Sequence, residues 1–286
     1  MEKIEINDLL KIPEYDKSFK KITNLSEEKE IFVEKFFKNN ELVMKKYTYK
    51  NGKMYSSDRR PGLIFFAKNT FSNEKFLTEV FYINGKIGRL RKPAVIEKYV
   101  DEHNNEKSIK CEIFALNGKI SDQNVFPAIK CYYGKNYQTK TIVHVKNGIV
   151  HNDNYPAYMS FGFNGVLKNK IYYKNGEKHN ENGPAEVHYK VDGKISKIEY
   201  YLNGKLSRDN GPASIVLLSK LMRKNDAYEV SYYKNGKKHN TNGPAYFEFN
   251  LSSKERLNKK YYIDDKIMDN ELSFEVSKSL YINEVN

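Results

Sequence analysis

Tyr172-Tyr173-Lys174-Asn175-Gly176, followed by Asn182-Gly183-Pro184-Ala185, is the stretch whose reading decides the fold. It returns as Tyr200-Tyr201-Leu202-Asn203-Gly204 with Asn210-Gly211-Pro212-Ala213, and as Tyr232-Tyr233-Lys234-Asn235-Gly236 with Asn242-Gly243-Pro244-Ala245. Outward from these, weaker copies turn at Asn51-Gly52, Asn84-Gly85, Asn117-Gly118 and Asn147-Gly148, and a worn eighth at Asp264-Asp265. Successive turns lie 28 to 33 residues apart. Seven of the eight prolines (Pro61, Pro93, Pro127, Pro156, Pro184, Pro212, Pro244) fall nine or ten residues after the turn residue. The residue two before it is Tyr in six of the eight units. Periods in this range mark stacked supersecondary units.

Each residue type has a local reason. Asn-Gly accepts positive φ at both central positions, as a type I′ hairpin turn requires. The Gly before each late Pro frees the backbone at a corner, with positive φ expected at Gly183, and Pro, lacking an N–H, suits the first residue of a strand. Beyond it apolar residues alternate, as in Ala185, Val187, Tyr189 and Ala245, Phe247, Phe249, the period of a half-buried strand. The expected fold is therefore mostly β: tandem antiparallel hairpins in an elongated, twisted or curled meander, with small caps at both ends. The repeats span 46–265. Residues 1–45 form an N-terminal cap, either mixed, with a helix over Ser26–Lys38, or a half repeat, because Phe36-Phe37-Lys38-Asn39-Asn40 mimics the repeat core. Residues 266–286 form a C-terminal cap, helical by the spacing of Leu272, Val276 and Leu280.

The Tyr-Tyr-Lys-Asn-Gly-Lys core resembles MORN-type repeats, in the longer variant with a following Asn/Asp-Gly-Pro-Ala that recurs in large viruses, phages and bacteria. The resemblance covers roughly residues 46–265 and implies a scaffold or interaction surface; some bacterial relatives are labelled antitoxin-like. This chain departs from the pattern in its first four units, where the Gly before Pro is missing.

Composition fits such a module better than a compact enzyme. Of the 286 residues 39% are hydrophobic and 30% charged, with 23 Tyr, 16 Phe and no Trp. The net charge of +13 lies almost wholly beyond residue 45 and could attract nucleic acid, anionic lipid or an acidic protein. Against selection for nucleic acid, nearly all basic residues are Lys, and high Lys, Asn, Ile and Tyr together match an AT-rich coding bias. No apolar run approaches a membrane span or a secretory signal. Cys111 and Cys131 suit small core residues rather than a disulfide, and the expected location is the cytoplasm, the host's if the chain is viral or phage-encoded.

No catalytic constellation stands out. His151, His179 and His239 all lie three residues after a turn Gly, a slot filled by Tyr55, Ser121 and Ser207 elsewhere, so they mark structure rather than chemistry. No metal-ligand spacing, Gly-rich phosphate loop or nucleophile elbow is present, and neither enzyme activity nor a cofactor is expected. The sharper signal is a cluster of Arg59, Arg60, Arg89, Arg91 and Lys92 between turn and proline in two early units, where stacking in register brings them together. Arg binds carboxylate or phosphate bidentately. Long tips, including Lys220, Arg223 and Lys224, are a second candidate face, because insertions in a stacked array map to one side. The leading expectation is a non-enzymatic module that binds a protein, as a viral, phage or mobile-element inhibitor or immunity factor. The alternatives are RNA binding or inhibition of a nucleic-acid-guided complex through the basic patch, and a structural virion or filament component.

Overall fold

The structure, a computed structural model, describes residues 3–10, 20–26, 31–49, 51–68, 74–123, 126–134, 137–218, 227–268 and 275. It divides into two units, residues 2–152 with 157–165 and residues 153–156 with 166–286. Both are built on antiparallel meanders in which each strand pairs with the next in sequence.

In the N-terminal unit ten main strands follow one another: Lys20–Ser26, Ile31–Lys38, Glu41–Tyr49, Leu63–Lys68, Lys75–Val80, Val95–Val100, Glu106–Ile113, Ile129–Tyr133, Gln138–Val143 and Tyr158–Phe161. The C-terminal unit continues in the same way through Leu167–Ile171, Glu186–Tyr189, Ile195–Glu199, Ser214–Leu218, Ala227–Ser231, Tyr246–Asn250, Arg256–Ile263 and Lys266–Met268. The first and last strands of each unit are not paired with each other, so neither sheet closes into a barrel.

The Asn-Gly turns do not join main strands directly. The chain leaves the main sheet at the first aromatic of the motif and forms a separate two-residue hairpin, such as Tyr173–Lys174 with Glu177–Lys178, before returning through the proline corner. The turn chemistry is as expected: φ is +51° and +79° at Asn175 and Gly176, and +48° and +67° even at Asp264 and Asp265. The exception is Asn51, where only Gly52 has positive φ and the Asn51 Oδ1 accepts from the Lys53 N–H. A smaller loop results, bridged at Thr48 and Met54.

A fixed set of backbone bonds explains the remaining repeat residues. In the C-terminal unit the N–H groups of Tyr172, Tyr200 and Tyr232 donate to the carbonyls of Ala185, Ala213 and Ala245 at 2.7–2.8 Å. Their own carbonyls accept from His179, Ser207 and His239 at 3.0–3.1 Å. Phe81 and Phe114 do the same with Ala94 and Ala128 in the N-terminal unit. All six post-proline alanines, from Ala94 to Ala245, are 0% exposed, so no larger side chain fits there. The first unit has Gly62 in this slot, and a Cβ on it would lie 2.4 Å from the Tyr55 carbonyl. Neighbouring short hairpins are tied together by the turn residue: Gly118 donates to Ile87, Gly204 to Lys178, and Gly236 to Leu206 at 2.7–3.0 Å.

Four expectations need correction. Ser26–Lys38 is not helical: Ile31–Lys38 is a strand whose apolar residues Ile31 and Phe36 are buried in cross-strand pairing. Its Asn39-Asn40 turn has positive φ at both residues, but strand alternation puts it at the end opposite the Asn-Gly hairpins, so the segment is not a repeat in register. Gly183 does not take up positive φ, whereas Gly211 and Gly243 do, at +135° and +149°. Cys111 and Cys131 are joined by a disulfide, because the meander sets them directly opposite each other on adjacent strands. The helix expected around Leu272, Val276 and Leu280 lies outside the described residues.

Candidate functional site

Main strands alternate in direction, so within each unit the short hairpins and proline corners lie at one end of the strands and the simple tips at the other. The arginine cluster belongs to the hairpin end of the N-terminal unit. Residues Ser57–Arg60 close a tight loop: the Ser57 N–H donates to the Arg60 carbonyl at 3.0 Å, and the Arg60 N–H to Ser57 Oγ at 3.1 Å. In the following repeat, Arg89 donates through Nη2 to the Asp58 carbonyl, and this contact brings the two loops side by side. Gln123 fastens the second loop to the third. Its Nε2 donates to the Arg89 carbonyl at 3.0 Å, and its Oε1 accepts from the Arg91 N–H at 2.8 Å.

The clamp sorts the cluster into one structural and four presented cations. Arg89 is half-buried, lies 3.8 Å from the Phe81 ring centroid and donates through Nη1 to the Pro93 carbonyl at 3.4 Å. Burial pulls its pKa down, against the opposing charges of Asp58 and Glu79. Asn180, Arg208 and Asn240 stand in the same slot, four residues before their prolines, and make the same bond to Pro184, Pro212 and Pro244 at 3.0–3.3 Å. Arg89 is thus a loop brace, and alignment with Arg208 was the sequence signal for it. Arg59, Arg60, Arg91 and Lys92 are exposed. Between them Leu90 is 67% exposed, and Arg91 is held at φ +58°, a conformation that non-glycine residues rarely adopt. Lys220, Arg223 and Lys224 lie outside the described residues.

The histidine slot has a defined task. His179 Nδ1 accepts the N–H of the next turn residue, Asn203, at 3.1 Å; Ser207 Oγ accepts that of Asn235, and Ser121 Oγ that of Asn147. His239 Nδ1 faces both the N–H and the carboxylate of Asp264, at 3.3 and 3.0 Å. A hydroxyl and an imidazole nitrogen are interchangeable there because the slot asks only for an acceptor.

The C-terminal unit carries a buried polar network. Glu186 and Glu199 are directly opposed across two strands. Glu186 receives Lys178 from the preceding short hairpin, His188 at 2.5 Å and Lys197 at 3.4 Å. Glu199 receives Lys197 and Tyr201 Oη at 2.9 Å each. Burial pushes the Glu186 carboxyl up, but the bonds from Lys178 and His188 and the Lys178 and Lys197 charges prevail and hold it at about 2. Burial next to the Glu199 carboxylate pushes the Tyr201 hydroxyl up. Carboxylates this fully engaged brace the fold and leave no free base. Among the described residues no three His, Cys, Asp or Glu side chains gather in a metal-binding group. No helix there is long and apolar enough to cross a membrane.

No family model matches this chain, and no curated protein matches it significantly.

Proposed function

We propose that the chain is a non-enzymatic, MORN-like repeat module that binds another protein at the hairpin end of its N-terminal unit. The observation that carries this reading is the clamped loop pair presenting Arg59, Arg60, Arg91 and Lys92 around the exposed Leu90. An exposed apolar side chain on loops that also present three guanidinium forks and an ammonium suits a protein surface with acidic groups beside a shallow apolar pocket, since interfaces join an apolar centre to a polar rim. Bare phosphate backbone offers Leu90 nothing. Fixing the loop in advance also lowers the ordering cost of association. An inhibitor or immunity factor of a virus, phage or mobile element is the biological role we attach to it. A cytoplasmic site of action belongs to the same proposal. A thiol titration of protein isolated under alkylating conditions tests it: free Cys111 and Cys131 thiols support a reducing site of action, and an intact Cys111–Cys131 bond overturns it.

The test is capture from native lysate of the source cells, with and without nuclease, at 50 and 300 mM salt. A protein retained after nuclease and at both salt concentrations supports the reading. A partner lost on nuclease treatment, with affinity falling steeply in salt, replaces it with nucleic-acid binding.

A further inference from the structure

The opposite end of the N-terminal unit holds a recess of about 480 Å³ between successive tips. Its walls come from five strands: Lys75, Tyr99 with Val100, Lys107 with Ser108, Tyr133, and Lys140, with Phe163 at the rim. The volume is that of a small-molecule site. Phe163 is 71% exposed and meets Tyr133 edge to face, with ring centroids 5.6 Å apart. An aromatic face is therefore left open where one more ring could stack. Of the three lysines, Lys75 lies 3.7 Å from Glu41, Lys140 stands 5.5 Å from the Tyr133 ring centroid, and the Lys107 charge helps to hold the Asp101 carboxyl down. Glu74 is the one acid in the lining, so positive charge is in excess. Ser108 is 5% exposed, and its hydroxyl has no hydrogen-bond partner among the described residues. A buried hydroxyl left unpaired is costly, and it is satisfied by whatever polar group enters beside it.

Stacking face, an excess of positive charge and an orphaned hydroxyl together describe one ligand chemistry. We propose that this recess binds a nucleoside phosphate, free or as one unit of a single strand. The base lies against Phe163 and Tyr133, the phosphate faces Lys107 and Lys140, and Ser108 meets a polar edge of the base or sugar. The site goes beyond the protein-binding reading and uses the other end of the strands, so either can fail without the other.

The experiment is titration of the full chain with fluorescein-labelled hexauridylate by anisotropy, and with uridine monophosphate by calorimetry. Phe163→Ala, Lys107→Glu with Lys140→Glu, and Ser108→Ala are run alongside the wild type. All but Ser108 are exposed, so their melting curves should match the wild type's; Ser108→Ala removes only an unpaired group. Loss of one stacked base predicts binding about 5- to 100-fold weaker in Phe163→Ala. The double lysine variant should lose most binding together with most of its salt dependence. Binding of the monophosphate identifies a free nucleotide as the source; binding of the hexamer alone identifies a strand; either supports the site. Absence of both, equal competition by inorganic phosphate or polyglutamate, or unchanged affinity in Phe163→Ala overturns it.

Discussion

In the N-terminal unit the row of residues beside the proline corners reads Leu63, Val80, Val95, Ile113, Ile129 and Val143, each opposite the next and all buried. In the C-terminal unit the same row reads Glu186, Glu199, Ser214 and Ser231, again each opposite the next and all buried. The short hairpins match: Ile87, Ile120 and Val150 are buried in the first unit, and Lys178 occupies the same slot in the second, on Glu186. The proline corners differ too. Arg60, Lys92 and Phe126 precede proline in the N-terminal unit, Gly183, Gly211 and Gly243 in the other. The backbone ladder is common, so the row accepts oil or a satisfied polar network, and the two meet where Ile171 lies opposite Glu186 and Tyr246 opposite Ser231. Positions outside the ladder are free to vary, and in the N-terminal unit they hold the exposed cations.

The most severe way to break the comparison is to move the chemistry of one unit into the other. Val95→Glu puts a carboxylate between Val80 and Ile113 at a site with 0% exposure. We expect a loss of about 3 kcal/mol or more by urea denaturation. Adding Ile87→Lys, to copy Lys178 and Glu186, should recover part of it; no recovery would show that the rows are not equivalent.

Next come the features both units share. Ala94→Leu and Ala213→Leu overfill the same corner and should each cost about 1–3 kcal/mol. A cost in one unit alone would mean that the alanine column is not a common constraint.

Acid should separate the units without mutation. Glu186 is held at about 2 in the folded chain, below the ordinary glutamate value of about 4.3. Its contribution is complete above that value and is lost as pH falls toward 2. We expect about 1–2 kcal/mol after allowing for solvent screening, confined to the C-terminal unit. Amide hydrogen exchange at pH 5 and pH 3, corrected for intrinsic rates, would show lost protection in Glu186–Tyr189 and Ile195–Glu199 but not in Val95–Val100. Equal loss in both would contradict it.

The smallest effect lies in the glycines. Gly211→Ala forces an alanine to φ +135° with its Cβ 3.2 Å from Arg208, and should cost about 1 kcal/mol or more. Gly183→Ala, without positive φ, should shift the melting temperature little. Identical shifts would remove the distinction.

Much of this was legible from residue spacing. Asn-Gly and Pro-Ala announced the turns, the corners and the meander, because each demands a backbone state that few residues accept. The detachment of the short hairpins was not legible, since a type I′ turn looks the same in a long hairpin and in one of two residues. Ile31–Lys38 was misread because Ile31 and Phe36 fit a helical face and a pleated strand alike. Arg59, Arg60, Arg91 and Lys92 were legible as exposed breaks in the repeat. Arg89 stood apart from them in the sequence only by its alignment with Arg208, and its bonds to Asp58 and Pro93 give that alignment its meaning. Tyr99 and Ser108 share one tip, Tyr133 and Phe163 come from two others, and the three meet only through the register of the sheet.

The most direct test of the central claim is parallel capture by the wild type and by a variant carrying Arg59→Glu, Arg60→Glu, Arg91→Glu and Lys92→Glu, with Arg89 left in place. The account predicts that the two melt within about 0.5 kcal/mol of each other, since the four side chains are exposed, and that the nuclease-resistant protein partner is lost from the variant. Equal recovery of that partner by both would contradict it.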